Sequence, residues 1–385
     1  MTEKLYYIES HIHEFEATVL ECESIKNGFA VILDRSAFFP EGGGQAADTG
    51  FIGQTEVLDV QEKAGRHIHY TAAPLTVGES YPCRIHWEKR LRRMQNHSGE
   101  HIVSGLVHSH FGLENVGFHM GEDCMTIDFS GELDEEQLSL IEQRANEAVR
   151  ANLPISATFP DSKALETMEY RSKLELTENV RIVEIEGIDR CACCAPHVSN
   201  TGEIGFIKFV EHTRHRGGVR LSLICGMDAL DYVNKLQNAA FAVSRLLSAK
   251  RHEIDRAVER ILSEQAKSKE RTGALSMELA KLKAAAFETV EGNICIFDDV
   301  LDEVALRELV NMLTPKCTGL AAAFSGSDDE GYRYIISSKN LDLRSLTKAI
   351  NQGIGGRGGG SAEMIQGRAS EKAETIQSFI KNLNV

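Results

Sequence analysis

Short runs of alternating apolar and polar positions dominate the first 90 residues and predict β-strands. Glycine, asparagine, aspartate or proline separates one run from the next. The predicted strands lie at residues 5–10, 15–24, 28–36, 55–62, 66–72 and 80–87. Several short strands at such close spacing are typical of a small β-barrel or closed sheet.

After residue 88 the apolar spacing changes to the period of a helix. Helices are predicted at 88–111 and 133–153, and strands at 125–131, 180–185 and 203–212. Residues 231–286 contain no proline and predict a long charged helix or a helical hairpin, with Gly273 at the expected bend. Strand-like runs alternate with helices again from residue 291 onward.

These patterns predict an α+β chain of four parts. A small β-barrel domain covers residues 1–90, and an α/β domain covers 91–230. A helical hairpin connector covers 231–290, and a small α/β domain with a glycine-rich motif covers 291–385.

Composition narrows the class of protein. The 385 residues carry a net charge of −15, which disfavours unspecific nucleic-acid binding and leaves phosphate contacts to local basic patches. No apolar run approaches the roughly 18 residues of a membrane span, and the charged first residues do not resemble a signal peptide. We therefore expect a cytoplasmic protein without a membrane partner. The nine cysteines are odd in number and do not suggest a disulfide framework.

Two separate segments carry possible metal ligands. His97 and His101 are spaced i, i+4 on a predicted helix, so both rings lie on one face. Cys193 and His197 add a thiolate and a third imidazole. Three nitrogens and one sulfur suit Zn²⁺ first. The residues alone leave chance spacing and inert core cysteines open, and the HExxH signature of metalloproteases is absent.

The turn FFPEGGGQAADTG at residues 38–50 is the second informative stretch. Its three consecutive glycines allow positive φ angles or close approach to a ligand, and Glu41 and Gln45 add polar side chains. It has neither the strand-to-helix context of GxGxxG nor the lysine of a P-loop. A plain strand connection remains an alternative.

Taken together, these motifs resemble the editing half of alanyl-tRNA synthetase and its free-standing relatives, the AlaX family. The resemblance covers nearly the whole chain in the family's order. It rests on the segments 36–50, 85–90, 96–101, 189–204, 217–220 and 355–364. Because only four residues precede the first predicted strand, we expect the long form of AlaX and not a complete synthetase.

The resemblance implies trans-editing, in which tRNA for alanine mischarged with serine, or with glycine, is hydrolysed at a zinc site. It implies His97, His101, Cys193 and His197 as the metal-binding and catalytic residues. The implied substrate-binding residues are Ser36, Glu41, Gly43, Gly44, Gln45 and Arg220, with the Ser36 hydroxyl as reader of the serine side chain. The implied tRNA contacts are Lys89, Arg90, Arg92, Arg93 and Arg357. A homodimer through the connector and the C-terminal domain is a further expectation.

The sequence departs from the family at two places. Cys193-Cys-Ala-Pro-His197 stands where the synthetases typically have CGGTH, and Ser36 stands where threonine is usual. The alternatives are a zinc hydrolase of a small ester or amide, and a non-catalytic, zinc-stabilised RNA-binding module. A phosphoesterase is disfavoured because no aspartate-rich DHH segment is visible.

Overall fold

The computed structural model describes residues 2–121, 123–172 and 180–383. The chain divides into two compact units, residues 1–239 and 240–385. Sheets and helices occur in both, so the predicted mixed α+β class is confirmed. Within the described residues, no helix combines the length and the apolar character that a membrane crossing requires.

The first unit begins with a six-stranded sheet that closes on itself in the order β2-β3-β7-β6-β5-β8. A short parallel pair, β1 with β4, lies beside it. The strands are β1 (Glu3–Lys4), β2 (Glu14–Ile25), β3 (Gly28–Leu33), β4 (Arg35–Ser36), β5 (Gly50–Ile52), β6 (Thr55–Lys63), β7 (Arg66–Thr71) and β8 (Ser80–Ile85). Alternate side chains point inward, as the sequence pattern predicted, and Val31, Leu33 and Val57 are fully buried in its core.

The predicted strand at residues 5–10 is wrong. Leu5–Tyr7 forms a 3₁₀ turn in which Leu5 and Tyr6 are buried. A short apolar run does not by itself distinguish a strand from a turn that covers a core.

The centre of the first unit is the helix α1 (Trp87–Phe111), which packs with α2 (Glu135–Ala151) against a four-stranded sheet. The strands are β9 (Asn115–Met120), β10 (Met125–Phe129), β14 (Ile207–His215) and β15 (Gly218–Cys225), in the order β14-β15-β10-β9. Asp134 caps the start of α2 by accepting from the backbone N–H of Gln137, as the acidic start of the predicted helix suggests. The middle of α1 is buried from Asn96 to Val107, which places its polar side chains inside the unit.

A second, three-stranded sheet presents the cysteine-rich segment to α1. Its strands are β11 (Ile155–Thr158), β12 (Ile182–Ile185) and β13 (Asp189–Ala192), and α3 (Ser162–Thr167) follows β11. β13 contacts α1 directly, so the loop after it reaches the histidines of that helix.

The helical region breaks elsewhere than predicted. α4 (Gly226–Leu246) and α5 (Ile254–Ala285) are separated at residues 247–250, where Ser248 has φ of 49°, and by the 3₁₀ turn Arg251–Glu253. α5 continues through Gly273, so the predicted bend there is wrong. One partly exposed glycine among good helix formers costs only about 1 kcal/mol, too little to end a 32-residue helix.

The second unit contains a five-stranded sheet in the order β16-β17-β18-β20-β19, covered by helices. Its elements are β16 (Ile294–Phe297), α6 (Glu303–Leu313), β17 (Ala321–Ser327), β18 (Gly331–Ser337), α7 (Leu343–Gly353), β19 (Gly356–Gly360), β20 (Met364–Ala369) and α8 (Ala373–Asn382). The glycine-rich motif forms β19, which pairs antiparallel with β20. A Cβ on Gly358 would lie 2.3 Å from the carbonyl oxygen of Gln366, so this pairing requires glycine.

Candidate metal centre and cleft

α1 places His97 and His101 next to each other in the buried interior of the first unit. His97 and His101 lie one helical turn apart, with ring centroids separated by 5.5 Å. Both side chains are almost completely buried, because the helix crosses the middle of the unit at this level. The i, i+4 spacing therefore places both rings where the sequence predicted, on the same face.

The loop after β13 completes the cluster. Cys193 Sγ lies 3.5 Å from His97 Nε2 and 3.4 Å from His197 Nε2. One donor atom from each of His97, His101, Cys193 and His197 falls within 4.8 Å of the others. The fold thus joins two segments that lie far apart in the sequence, and the result is a cluster able to hold a metal ion.

Each histidine of the cluster has a separate partner for its other ring nitrogen. His97 Nδ1 lies 3.2 Å from Gln45 Oε1, His101 Nδ1 lies 2.8 Å from Asp189 Oδ2, and His197 Nδ1 lies 3.0 Å from Ser98 Oγ. These bonds fix the ring orientations and leave all three Nε2 atoms facing the centre. Partners of this kind accompany nearly all histidines that bind metals, so the residues fit a metal ion with nitrogen and sulfur ligands.

The electrostatics of the cluster favour a thiolate. Burial alone would raise the pKa of Cys193, but the nearby His97 charge and hydrogen bonds from His101, His197 and His97 hold it well below its ordinary value. Burial lowers the pKa of His197 to about 3, so this ring is neutral. Burial also opposes the charged form of His101, but hydrogen bonds with Asp189 and Cys193 outweigh it and raise the pKa well above the usual value. A bound cation would displace any proton from the Cys193 sulfur and from the ring nitrogens that face it.

A second group of donors, His101, Asp189 and Cys191, is less suited to a metal. The Asp189 carboxylate already accepts two hydrogen bonds from Arg171, at 2.7 and 2.9 Å, beside the one from His101. Burial raises the pKa of Cys191 to about 11, which keeps its thiol protonated. Asp189 therefore orients His101 through its hydrogen bond to Nδ1, and Arg171 holds the Asp189 carboxylate in place.

Replacing Asp189 by asparagine should weaken metal binding by roughly 10- to 100-fold. The amide cannot hold His101 Nδ1–H as a carboxylate does, and it leaves Arg171 without its charge partner. Competition with a chromophoric chelator measures this affinity. Glu184→Gln, which removes the exposed carboxylate paired with Arg190, serves as the control and should retain the wild-type affinity. Equal affinities for Asp189→Asn and the control would contradict the supporting role.

Three residues of the cluster, His97, His101 and Cys193, line a cleft of about 430 Å³, and His197 is not among its lining residues. Its other lining residues are Tyr7, Gly43, Gly44, Glu100, Gly117, Phe118, Phe159, Arg171, Ser172, Val180, Arg181, Cys191, Ala192 and Cys194. This volume falls within the usual range for small-molecule sites, and the wall combines aromatic with charged side chains.

The glycine turn reaches the cleft through Gly43 and Gly44, which are among its lining residues. Both have positive φ, 61° and 82°, and a Cβ on Gly44 would lie 2.7 Å from the Phe118 ring. Reciprocal backbone hydrogen bonds between Gly42 and Gln45 close the turn. The Gln45 side chain is buried against His97, and its Nε2 has no hydrogen-bond partner. Glu41 instead lies outside the cleft lining and accepts a hydrogen bond from Gln61.

Ser36 does not line the cleft, which corrects the prediction that it faces the pocket. Its side chain is fully buried, and its Oγ lies 2.8 Å from His69 Nε2. Burial lowers the pKa of His69 to about 3, and its Nδ1 faces the Val31 carbonyl, so Nε2 is the acceptor. The hydroxyl donates to His69 and accepts from the Phe38 N–H. It is therefore satisfied inside the unit.

Arg220 forms a salt bridge within the four-stranded sheet. Its guanidinium donates to both oxygens of Asp128, at 2.6 and 2.8 Å. This hydrogen bonding lowers the pKa of Asp128. Arg220 is not among the residues that line the cleft, and its charge is paired with Asp128.

The basic residues at the start of α1 differ in how far they are exposed to solvent. Lys89 is exposed, and Arg92 is half-exposed beside Asp228. Arg93 donates to the Ala47 carbonyl. Arg90 is fully buried and donates to Asp48 and to the carbonyls of Ser10 and Ala37, so the prediction that it contacts phosphate is wrong. In the second unit, Arg357 is exposed on β19.

Sequence reasoning missed the residues that support and surround the cluster. Ser98 and Asp189 lie inside the quoted motifs, so their positions beside the metal ligands were a usable signal. Glu100 lies between the two histidines in sequence. Its Oε1 accepts from Ser104 and Asn115, and its Oε2 lies 3.8 Å from His101 Nε2. Arg181 and Phe159 carried no such signal.

Two segments match known families. Residues 180–221 match the family described as the second additional domain of threonyl and alanyl tRNA synthetases. Residues 284–384 match the DHHA1 domain.

Similar proteins extend the match to nearly the whole chain. The chain is 27% identical to the alanyl-tRNA editing protein AlaX-L of Pyrococcus horikoshii, over 98% of this chain and 96% of that protein. It is 24% identical to the alanyl-tRNA editing protein Aarsd1 of Rattus norvegicus, over 97% and 96%. It is 32% identical to the alanine–tRNA ligase of Halobacterium salinarum over 87% of this chain, but this match spans only 38% of the ligase.

Among solved structures, the C-Ala domain of the Aquifex aeolicus alanyl-tRNA synthetase is similar to part of the chain. The identity is 18% and the TM-score 0.20, with 24% of this chain and 87% of that domain covered. A TM-score this low carries no argument about the fold.

Proposed function

We propose that this chain is an aminoacyl-tRNA deacylase. As its motifs predicted, it is similar to alanyl-tRNA editing proteins, including AlaX-L, over nearly its whole length. Its substrate is tRNA for alanine mischarged with serine, or with glycine, and its reaction is hydrolysis of the aminoacyl ester. The observation that carries the proposal is the convergence of His97, His101, Cys193 and His197 on one point, with the first three of these residues lining a cleft. The relatives' names supply the substrate class.

We assign Zn²⁺ to these four residues, because three imidazoles and one thiolate are the donors that this ion prefers. When bound, zinc supplies a Lewis acid for the ester carbonyl or a lowered pKa for a water molecule. The supporting contacts of Gln45, Asp189 and Ser98 orient the rings for this role.

Glu100 lines the cleft and is the residue that would accept a proton from the attacking water molecule. Among the described residues that line the cleft, it carries the single carboxylate. Its Oε1 is held by Ser104 and Asn115, so Oε2 remains for the proton. The same atom can return the proton to the ribose oxygen that leaves, as general acid–base catalysis requires.

Gln45 is the candidate reader of the amino acid, because it contacts the cleft residue His97 although it is not itself among the lining residues. Its Oε1 faces His97, and its buried Nε2 has no acceptor. A buried donor without a partner is costly, and a hydroxyl on the substrate side chain would satisfy it where a methyl group would not. Ser36 would take this role only if its bond to His69 opened. Gly43 and Gly44 let the ester approach the cluster closely.

Lys89 and the partly exposed Arg92 and Arg93 are the proposed phosphate contacts near the cleft, and Arg357 is the proposed contact in the second unit. Because the protein is acidic overall, binding of tRNA should weaken steeply with salt. The homodimer stays a prediction. The cytoplasm stays the predicted location, since charged tRNA is used where translation occurs.

Purified, zinc-loaded protein should deacylate seryl-tRNA for alanine faster than alanyl-tRNA by a factor of roughly 100 or more. Chelation should remove this activity, and added Zn²⁺ should restore it while circular dichroism stays constant. Serine methyl ester, which lacks the tRNA, should be cleaved poorly. Absence of seryl-tRNA cleavage by folded, zinc-loaded protein would refute the function, and efficient cleavage of the methyl ester would support the small-ester alternative.

A further inference from the structure

One wall of the cleft carries an exposed aromatic ring. Phe159 follows β11 and is 53% exposed, although it lines the cleft. Its ring meets Tyr7 edge-on, with centroids 5.5 Å apart and an interplanar angle of 69°. The exposed part of this ring is available for stacking with a planar group that enters the cleft.

Tyr7 connects this ring to the metal centre. It packs on the buried cluster of Tyr6, Phe39 and Ala195, and Cys193 packs on the same cluster. The Arg181 guanidinium lies 5.2 Å from the centroid of the Tyr7 ring. The aromatic pair and the metal ligands are therefore parts of one wall.

Arg181 places positive charge in this wall. It is 8% exposed, and its Nη1 donates to the carbonyls of Cys193 and Ala195 at 3.0 and 2.8 Å. Its buried Nε has no hydrogen-bond partner. Within residues 2–121, 123–172 and 180–383, no carboxylate lies within salt-bridge distance of Arg181, whereas the partly buried Arg171 pairs with Asp189. The local charge of this wall therefore favours an anionic ligand.

We propose that Phe159, Tyr7 and Arg181 form the subsite for the 3′-terminal adenosine of the substrate tRNA. The base stacks on Phe159, which Tyr7 holds in place, and the Arg181 charge attracts the 5′-phosphate of that nucleotide. The inference rests on the proposed function, because an ester at the metal centre carries its adenosine directly beside it. Aromatic side chains stack on bases, and arginine pairs with phosphate.

Replacing Phe159 by alanine should raise the KM for seryl-tRNA about tenfold and change kcat little, since stacking acts on binding. It should weaken binding of adenosine monophosphate, measured by equilibrium dialysis, by a similar factor. Phe159→Tyr keeps the ring and should restore both values. Phe206→Ala is the matched control, because Phe206 is 38% exposed in the same unit but does not line the cleft.

Equal KM and nucleotide binding for Phe159→Ala and Phe206→Ala, with seryl-tRNA still cleaved, would overturn the subsite and leave the proposed function intact. Nucleotide binding that depends on Phe159, without any cleavage of seryl-tRNA, would refute the function and retain the subsite. Adenosine monophosphate should bind more tightly than adenosine. Equal affinities would overturn the role of the Arg181 charge.

Discussion

Replacing Cys193 by alanine is expected to remove bound metal and to lower the rate of seryl-tRNA deacylation at least about a hundredfold. The thiolate is the one sulfur in the four-residue cluster, and it lies within hydrogen-bonding distance of the His97 and His197 rings. Loss of a supporting residue alone costs 10- to 100-fold in affinity or activity, so loss of a ligand should cost more. Metal content by mass spectrometry and single-turnover deacylation measure the two effects.

Cys124→Ala is the control for this variant. Cys124 is also a free, partly buried thiol of the first unit, and it is not part of the cluster or the cleft. It should retain metal and activity. A Cys193→Ala protein with full metal content and full activity would contradict the assignment of this residue as a ligand.

Replacing Asp48 by alanine is expected to lower the free energy of unfolding of the first unit by about 3–5 kcal/mol. Asp48 is 1% exposed and accepts from Arg90 Nε at 2.8 Å and from the Phe39 N–H at 2.7 Å. Without the carboxylate, the fully buried Arg90 would keep its charge in the core without a counter-charge. Urea unfolding followed by the fluorescence of Trp87, which is one turn from Arg90 on α1, measures the change.

Glu132→Ala provides the comparison, because Glu132 pairs with Arg214 on the surface, where both side chains are mostly exposed. Exposed pairs contribute little, so its unfolding curve should overlay the wild-type curve. Equal curves for Asp48→Ala and the wild type would show that Arg90 finds another partner. That result would contradict the stabilising role assigned to the pair of Asp48 and Arg90.

The Ala-Pro variant of the cysteine motif has a structural explanation. Ala195 is fully buried against Tyr6 and Phe39, and its carbonyl accepts a hydrogen bond from Arg181. Pro196 is buried as well. Ala195, in place of a glycine, thus fills space against Tyr6 and Phe39, while Cys193 Sγ and His197 Nε2 remain 3.4 Å apart.

Local periodicity accounts for the elements that could be predicted. The inward alternation along β2 and β7 and the helical spacing of α1 follow from interactions between near neighbours. Two predicted elements, the strand that begins at Leu5 and the bend at Gly273, are wrong because each rested on a short run or a single residue. Leu5–Tyr7 turned into a 3₁₀ segment to cover a core, and Gly273 stayed helical because its neighbours favour a helix.

The sequence by itself determined the pairing of His97 with His101, the positive φ of the glycine turn and the resemblance to the AlaX family. These depend on residue type and spacing within short segments. Only the tertiary structure decided that Cys193 and His197 meet those histidines, that Asp189 supports His101, and that Ser36 and Arg90 are buried. The physical reason is that burial and partner choice depend on which distant segments pack together, and no local pattern encodes that.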